Sequence, residues 1–220
     1  MAAAACEGPL STLDPASGEA ARVAGLWWVM LAASAVILAG IMGTALYALR
    51  ARRGGRGVSG LAMLAGGGVA FPAVTLLALL VWSLMQGPEP AAADDPDAYR
   101  LRAQAQRFQW EFIHPAGPDG RPVRTVGLAV IPAGVPVVVE IAAADVIHSF
   151  WVPRLAGKLD ALPGRVNHLR LKADAPGRYA GQCAEYCGTG HADMAFVVEA
   201  VPPEDLERRL AELAGGAARP

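Results

Sequence analysis

The sequence predicts a membrane-anchored all-β protein: a two-helix transmembrane hairpin, then a β-sandwich or barrel, then a short helix. Three observations predict it. Residues 26–49 and 57–85 are two uncharged runs in succession, a polar Pro-rich stretch follows them, and beyond it short β-type runs alternate with turn residues. With 220 residues, 54 % of them hydrophobic, the chain has room for one ordinary domain plus a surplus that suits lipid.

At about 1.5 Å per residue each uncharged run reaches roughly 35 Å or more, enough to cross a hydrocarbon core of about 30 Å with some tilt. Between them stand Arg50, Arg52, Arg53 and Arg56, and no acidic residue occurs between Glu19 and Glu89. By the positive-inside rule that break is cytoplasmic, and both termini face the other side. Trp27, Trp28 and Trp82 fit an aromatic belt at the outer interface. Pro72 lies inside the second run and should kink it.

The organisation expected is therefore an outer tail over 1–25 and a hairpin over 26–85, with helices at about 26–49 and 61–85 and a cytoplasmic loop at 50–60. A linker over 86–98, a β-domain over 99–202 and a C-terminal helix and tail over 203–220 complete it. Within the β-domain the strand-like runs are 108–113, 125–131, 135–141, 146–152, 165–171, 178–183 and 195–201. Val137, Val139 and Ile141 alternate with Val138 and Glu140, as in a half-buried strand. After Pro203, Leu206, Leu210 and Leu213 share one face of an amphipathic helix. Ala3-Ala4-Ala5-Cys6 has the form of a lipoprotein signal end, but only five residues precede the cysteine. Cys6 is thus either a lipid attachment point or an ordinary tail residue.

Chemistry concentrates in Cys183-Ala-Glu-Tyr-Cys187-Gly-Thr-Gly-His191-Ala-Asp-Met194, with His148 on a separate strand. Two thiols, imidazoles and a thioether form a soft ligand set of the kind copper prefers. Zinc fits less well, because Met is a poor zinc ligand and zinc sites favour Cys-x-x-Cys. Cys187 is followed by Gly188 and not His, which excludes covalent haem by this motif, and a blue-copper centre needs only one cysteine. The second thiol argues for two coppers bridged by two sulfurs. Net charge of −1 leaves no basic surplus for nucleic acid, and three cysteines make no disulfide framework.

Cys-x-Glu-x-Cys-Gly-x-x-His-x-x-Met with an upstream His148-Ser149 resembles subunit II of the haem–copper cytochrome c oxidases. So do Lys158-Leu-Asp160-Ala-Leu-Pro163-Gly164-Arg165, the aromatic segment Arg107-Phe-Gln-Trp110-Glu-Phe112, and the hairpin. The resemblance implies a cupredoxin-like domain holding a dicopper CuA centre that accepts electrons from cytochrome c or a similar donor. It implies that Cys183 and Cys187 bridge the coppers, that His148 and His191 bind one each, that Met194 is a weak ligand, and that Glu185 offers its carbonyl. It further places the Glu185 side chain at a magnesium site shared with subunit I, and gives Trp110 the role of the exposed aromatic through which electrons arrive. The partners implied are haem-bearing subunit I, subunit III and lipid, at a bacterial inner membrane with the copper domain on the periplasmic face. Oxygen reduction and proton pumping would belong to the complex, since no residue for oxygen chemistry stands in this chain. The same copper domain also suits a nitric oxide reductase.

The chain departs from this pattern in places. Residues 61–69 lack the glutamate that many relatives carry at the mouth of a proton channel, and Phe112 stands where a second Trp is common. Residues 94–202 hold 12 acidic and 11 basic residues, so no strongly acidic docking face is evident from composition. A quinol-oxidase subunit lacks the copper ligands present here, and a free copper carrier has little use for a polytopic anchor.

Overall fold

The computed structural model describes residues 6–50, 59–85, 95–115 and 120–215. They form two compact units, one of Met1–Trp28 with Ala92–Pro220 and one of Val29–Ala91. Arg52, Arg53 and Arg56 of the basic break, and residues 86–94 of the linker, lie outside the described residues.

Helix α1 spans Gly18–Arg50, and the second apolar segment, Gly60–Met85, consists of α2 (Gly60–Met63), a π-helical turn (Leu64–Ala70) and α3 (Phe71–Met85). Both segments are long and apolar enough to cross a membrane, and their most apolar windows bury nothing. Side chains such as Leu49, Leu76 and Met85 are 84 %, 67 % and 80 % exposed. Apolar surface on this scale suits lipid as its solvent. The distortion expected at Pro72 takes the form of the π turn, in which the Phe71 N–H donates to Gly66 O, one residue farther back than in an α-helix. Proline has no N–H to give and its ring crowds the carbonyl four residues earlier, so a wider turn before it relieves the clash.

Helix α1 begins at Gly18, well before the uncharged run, and the segment ahead of it packs on the β-domain. The Ala16 N–H donates to Arg154 O at 2.8 Å, and the Asp174 N–H donates to Ala16 O at 3.1 Å. Arg154 holds the Asp14 carboxylate at 3.1 Å and its carbonyl at 2.8 Å. Ser17 donates its hydroxyl to Leu155 O at 2.6 Å and accepts the Ala20 N–H at 3.0 Å, so the residue that caps α1 also ties it to the domain.

The β-domain has ten strands: β1 (Tyr99–Gln106), β2 (Gln109–His114), β3 (Val123–Val126), β4 (Leu128–Pro132), β5 (Val137–Ala143), β6 (His148–Trp151), β7 (Leu159–Ala161), β8 (Asn167–Leu171), β9 (Gly177–Cys183) and β10 (Ala195–Val201). They form two five-stranded sheets, ordered β3-β2-β1-β5-β8 and β4-β10-β9-β6-β7. The pairs β1·β5 and β4·β10 are parallel and the rest antiparallel, a cupredoxin-like sandwich. The run expected over 125–131 is two strands, because Gly127 at φ 70° turns the chain from one sheet into the other. On β5, Val138 is buried as fully as Val137 and Val139, so the expected alternation appears only from Glu140 onward. Helix α4 (Leu206–Gly215) follows a 3₁₀ turn and lays Leu210 and Leu213 on Val123 and Val130, with Leu206 at the margin.

Aromatic rings fill the sandwich beneath the loop that ends β9. Phe150 and Phe196 stack at 4.8 Å between ring centres, while Trp110 meets them at 5.6 and 5.5 Å. Gly181 is the counterpart of this cluster: a Cβ there would sit 2.2 Å from the Phe196 ring, which its neighbours hold in place. Only glycine lets β9 approach so closely.

His114 is fully buried at the end of β2, its Nδ1 3.1 Å from the Tyr99 hydroxyl and its Nε2 3.4 Å from Thr125 Oγ1. Burial lowers its pKa to about 4 from an ordinary value of 6.5, and a hydrogen bond to the Val130 backbone only partly offsets this. The folded state thus keeps the imidazole neutral while the unfolded chain protonates it, so stability is full above about pH 6.5 and is lost as pH falls toward 4. The expected loss is about 3 kcal/mol. Denaturant melts across that window check it, and a His114→Phe chain should show a shallower slope.

Candidate metal centre

The second sheet positions the donors. His148 opens β6 and Cys183 closes β9, and these strands pair, with Phe150 opposite Cys183. The Ala184 N–H donates to Ser149 O at 2.9 Å and the Cys183 N–H to Met194 O at 3.0 Å, so both ends of the 184–194 loop are pinned to strands. Inside it His191 opens a 3₁₀ turn, His191–Asp193, and Met194 follows immediately before β10.

Six donors expected from the sequence come together here. Ligand atoms of His148, Cys183 and Cys187, all buried, lie within 4.8 Å of one another. Cys183 Sγ is 3.8 Å from His148 Nδ1 and 3.4 Å from the Glu185 carbonyl oxygen. Cys187 Sγ is 3.6 Å from His191 Nδ1 and 3.7 Å from Met194 Sδ. Each sulfur of the pair therefore has its own imidazole. Burial first, and then the neighbouring Cys183, push the Cys187 thiol up to about 11. Two thiolates side by side in a buried site need cations to compensate them. Sulfur and imidazole donors with no carboxylate among them suit copper and not a hard ion.

Trp110 does not occupy the position expected of it. It is 0 % exposed, packed in the aromatic core with its ring centre 6.3 Å from that of His148, and so is no surface contact. The reason is strand parity: Trp110, Phe112 and His114 point inward on β2 while Gln109 and Glu111 point outward. The exposed aromatic of the 107–112 segment is Phe108, at 38 %, in the turn between β1 and β2. Its ring lies across the ligand loop, 2.7 Å from where a Cβ on Gly190 would stand and 3.0 Å from one on Gly188. Gly188 also has φ 140°, which side chains rarely adopt.

The family described as "Cytochrome C oxidase subunit II, periplasmic domain" matches residues 120–201, a span that takes in all five sulfur and imidazole donors. Over that span the β-domain is similar to the cytochrome c oxidase subunit II family. That likeness makes copper the metal to expect at the cluster of His148, Cys183 and Cys187. Cytochrome c oxidase subunit 2 of Alkalihalophilus pseudofirmus is 36 % identical over 145 residues, which are 61 % of this chain and 40 % of that protein. The Branchiostoma floridae protein of the same name is 46 % identical over 89 residues, 40 % of this chain and 39 % of its own. The periplasmic domain of subunit II of the Bradyrhizobium japonicum cytochrome oxidase is 26 % identical with a TM-score of 0.50, the match covering 55 % of this chain and 96 % of that one. The chain spans about two fifths of the length of the curated relatives it matches.

Asp145 and Phe108 are the residues that sequence reasoning missed as parts of the site. For Phe108 a signal existed, since Phe108 precedes the alternating residues of β2 and is free of their inward face. Asp145, three residues before His148, gave none.

Proposed function

We propose that this chain is the electron-accepting subunit of a haem–copper oxidase, and the convergence of His148, Cys183, Cys187, His191, Met194 and the Glu185 carbonyl carries that reading. Electrons from cytochrome c or a similar donor pass through the site to haem-bearing subunit I, where oxygen is reduced to water and protons are pumped. Cys183, Cys187, His148, His191 and Met194 would hold a pair of coppers, which would supply a one-electron carrier whose charge changes by only one unit spread over both metals. The residues' part is to hold that geometry. His148 and Cys183 are fixed on paired strands and the loop between Cys183 and Met194 is anchored at both ends, so the donors need little motion.

Electrons arrive, on this reading, through Phe108, the exposed ring over Gly188 and Gly190 beside Cys187 and His191. Phe108→Ala should leave copper content and absorption unchanged while slowing reduction by cytochrome c at least about tenfold, the scale of one lost contact of about 1.4 kcal/mol. A normal stopped-flow rate would place electron arrival elsewhere. The exposed Glu185 side chain and Asp160 line one depression with Ile147 and Tyr186, which suits a magnesium ion shared with subunit I. The two apolar segments anchor the chain in a bacterial inner membrane beside subunits I and III. Packing of the N-terminal segment on the β-domain supports two crossings, and the arginines at 50–56 support a periplasmic β-domain by the positive-inside rule.

Metal analysis tests the core of this reading. The full chain in detergent should take up two coppers and turn purple when oxidised; one copper, or zinc in preference, would refute it.

A further inference from the structure

His148 is wholly buried, and its two ring nitrogens face different partners: Nδ1 looks toward Cys183 Sγ at 3.8 Å, and Nε2 sits 2.9 Å from Asp145 Oδ1. The carboxylate accepts the Nε2 N–H and so fixes which way the ring faces. Nδ1 is then left as the donor facing the sulfurs.

The same carboxylate has a second task. Its other oxygen accepts the backbone N–H of Arg107 at 2.9 Å and the Arg107 side-chain Nε–H at 3.2 Å. Oδ1 also accepts the N–H of Val146 at 2.7 Å. Although burial alone would raise it, the N–H of Arg107, then His148, then the N–H of Val146, hold this carboxyl well below the usual range. Arg107 belongs to the β1–β2 turn of the first sheet, and His148 to β6 of the second. Asp145 therefore joins the turn bearing Phe108 to a donor of the metal centre, across the two sheets. His191 is placed otherwise: half-buried, with its ring 5.7 Å from that of the exposed Tyr186.

We propose that Asp145 is a positioning residue for the metal centre: its carboxylate locks the His148 ring with Nδ1 toward Cys183 and clamps the Arg107 N–H, so that the turn carrying Phe108 is tied through Asp145 to the same ligand. This rests on the copper reading above. Removing the carboxylate frees the ring and takes away a negative charge that favours the more oxidised, more positive metal pair.

The test uses the full chain in detergent, loaded with copper. Asp145→Ala should retain copper against a chelator roughly 10- to 100-fold less well. Its midpoint potential should rise and its copper hyperfine pattern should change. Asp145→Asn keeps one acceptor oxygen but no charge, so retention should recover in part while the potential stays raised. Melts of the metal-free chains separate positioning from folding, and where Asp145→Ala does not fold, Asp145→Asn decides by its potential. Wild-type potential and retention in Asp145→Asn together with unchanged retention in Asp145→Ala, or a lower metal-free melt with no change in potential in either variant, would overturn the proposal. A wild-type chain that takes no copper overturns the copper reading and this one together, whereas a two-copper wild type matched by both variants overturns this one alone.

Discussion

Cys183→Ser should give a chain that folds but no longer holds copper. Cys183 is buried at the end of β9, with His148 Nδ1 at 3.8 Å and the Glu185 carbonyl at 3.4 Å, and its sulfur lies in the cluster that includes Cys187. Serine keeps the size of the side chain but offers a hard oxygen that is not ionised at neutral pH, so a soft donor that would hold copper is lost. The fall in affinity should exceed the roughly 100-fold that changes behind a ligand produce. Burying a hydroxyl costs about 1–3 kcal/mol, which a domain stable by about 5–15 kcal/mol survives. The expected readings are little copper by metal analysis, no purple colour, no rise of the melt when copper is added, and a metal-free melt near that of the parent chain. Two coppers retained per chain would show that this sulfur is not a bridge.

Trp110→Ala should instead act on the fold. The ring is fully buried, 5.6 Å from Phe150 and 5.5 Å from Phe196, and next to His148. Truncating a buried tryptophan costs roughly 3–5 kcal/mol, a large part of the stability of one domain. The melt of the metal-free chain should fall by many degrees, and copper retention should weaken with it, because the cavity opens beside a ligand. Phe108→Ala, which removes an exposed ring, should leave the melt nearly unchanged. A Trp110→Ala chain with an unaltered melt and a selectively slowed reduction would reverse this assignment and restore Trp110 as the point of electron arrival.

The contrast between these two aromatics shows what a sequence can carry. Gln109 and Glu111 alternate with Trp110 and Phe112, and period two alone puts both rings on the inward face; the reading of Trp110 as exposed followed resemblance instead of parity. The break at Gly127 was harder to see. A continuous β-type run looks the same whether it stays in one sheet or crosses to the other, and the crossing is decided by pairing of β3 with β2 and β4 with β10. Strand β1 was hidden for a related reason, since Arg100, Arg102 and Gln104 read as polar chain until Leu101, Ala103 and Ala105 are seen to bury one face.

By itself the sequence determined the two apolar segments, the β-rich domain after them and the residues of the candidate metal centre, because each rests on local chemistry: unbroken apolar length, turn residues between strands, and thiol, imidazole and thioether groups at close spacing. What depended on distant parts of the chain was decided only by the tertiary structure. Asp14, Ala16 and Ser17 find partners at residues 154, 155 and 174, which no local pattern announces. His148 meets Cys183 across 35 residues, a nearness that the ligand set suggested but that only the pairing of β6 with β9 produces. Asp145 received its place on His148 and Arg107 in the same way. Long-range contacts form because burying the aromatic core and pairing the sheets fix positions far apart in sequence, and a carboxylate's role is set by whatever those constraints bring within hydrogen-bonding reach.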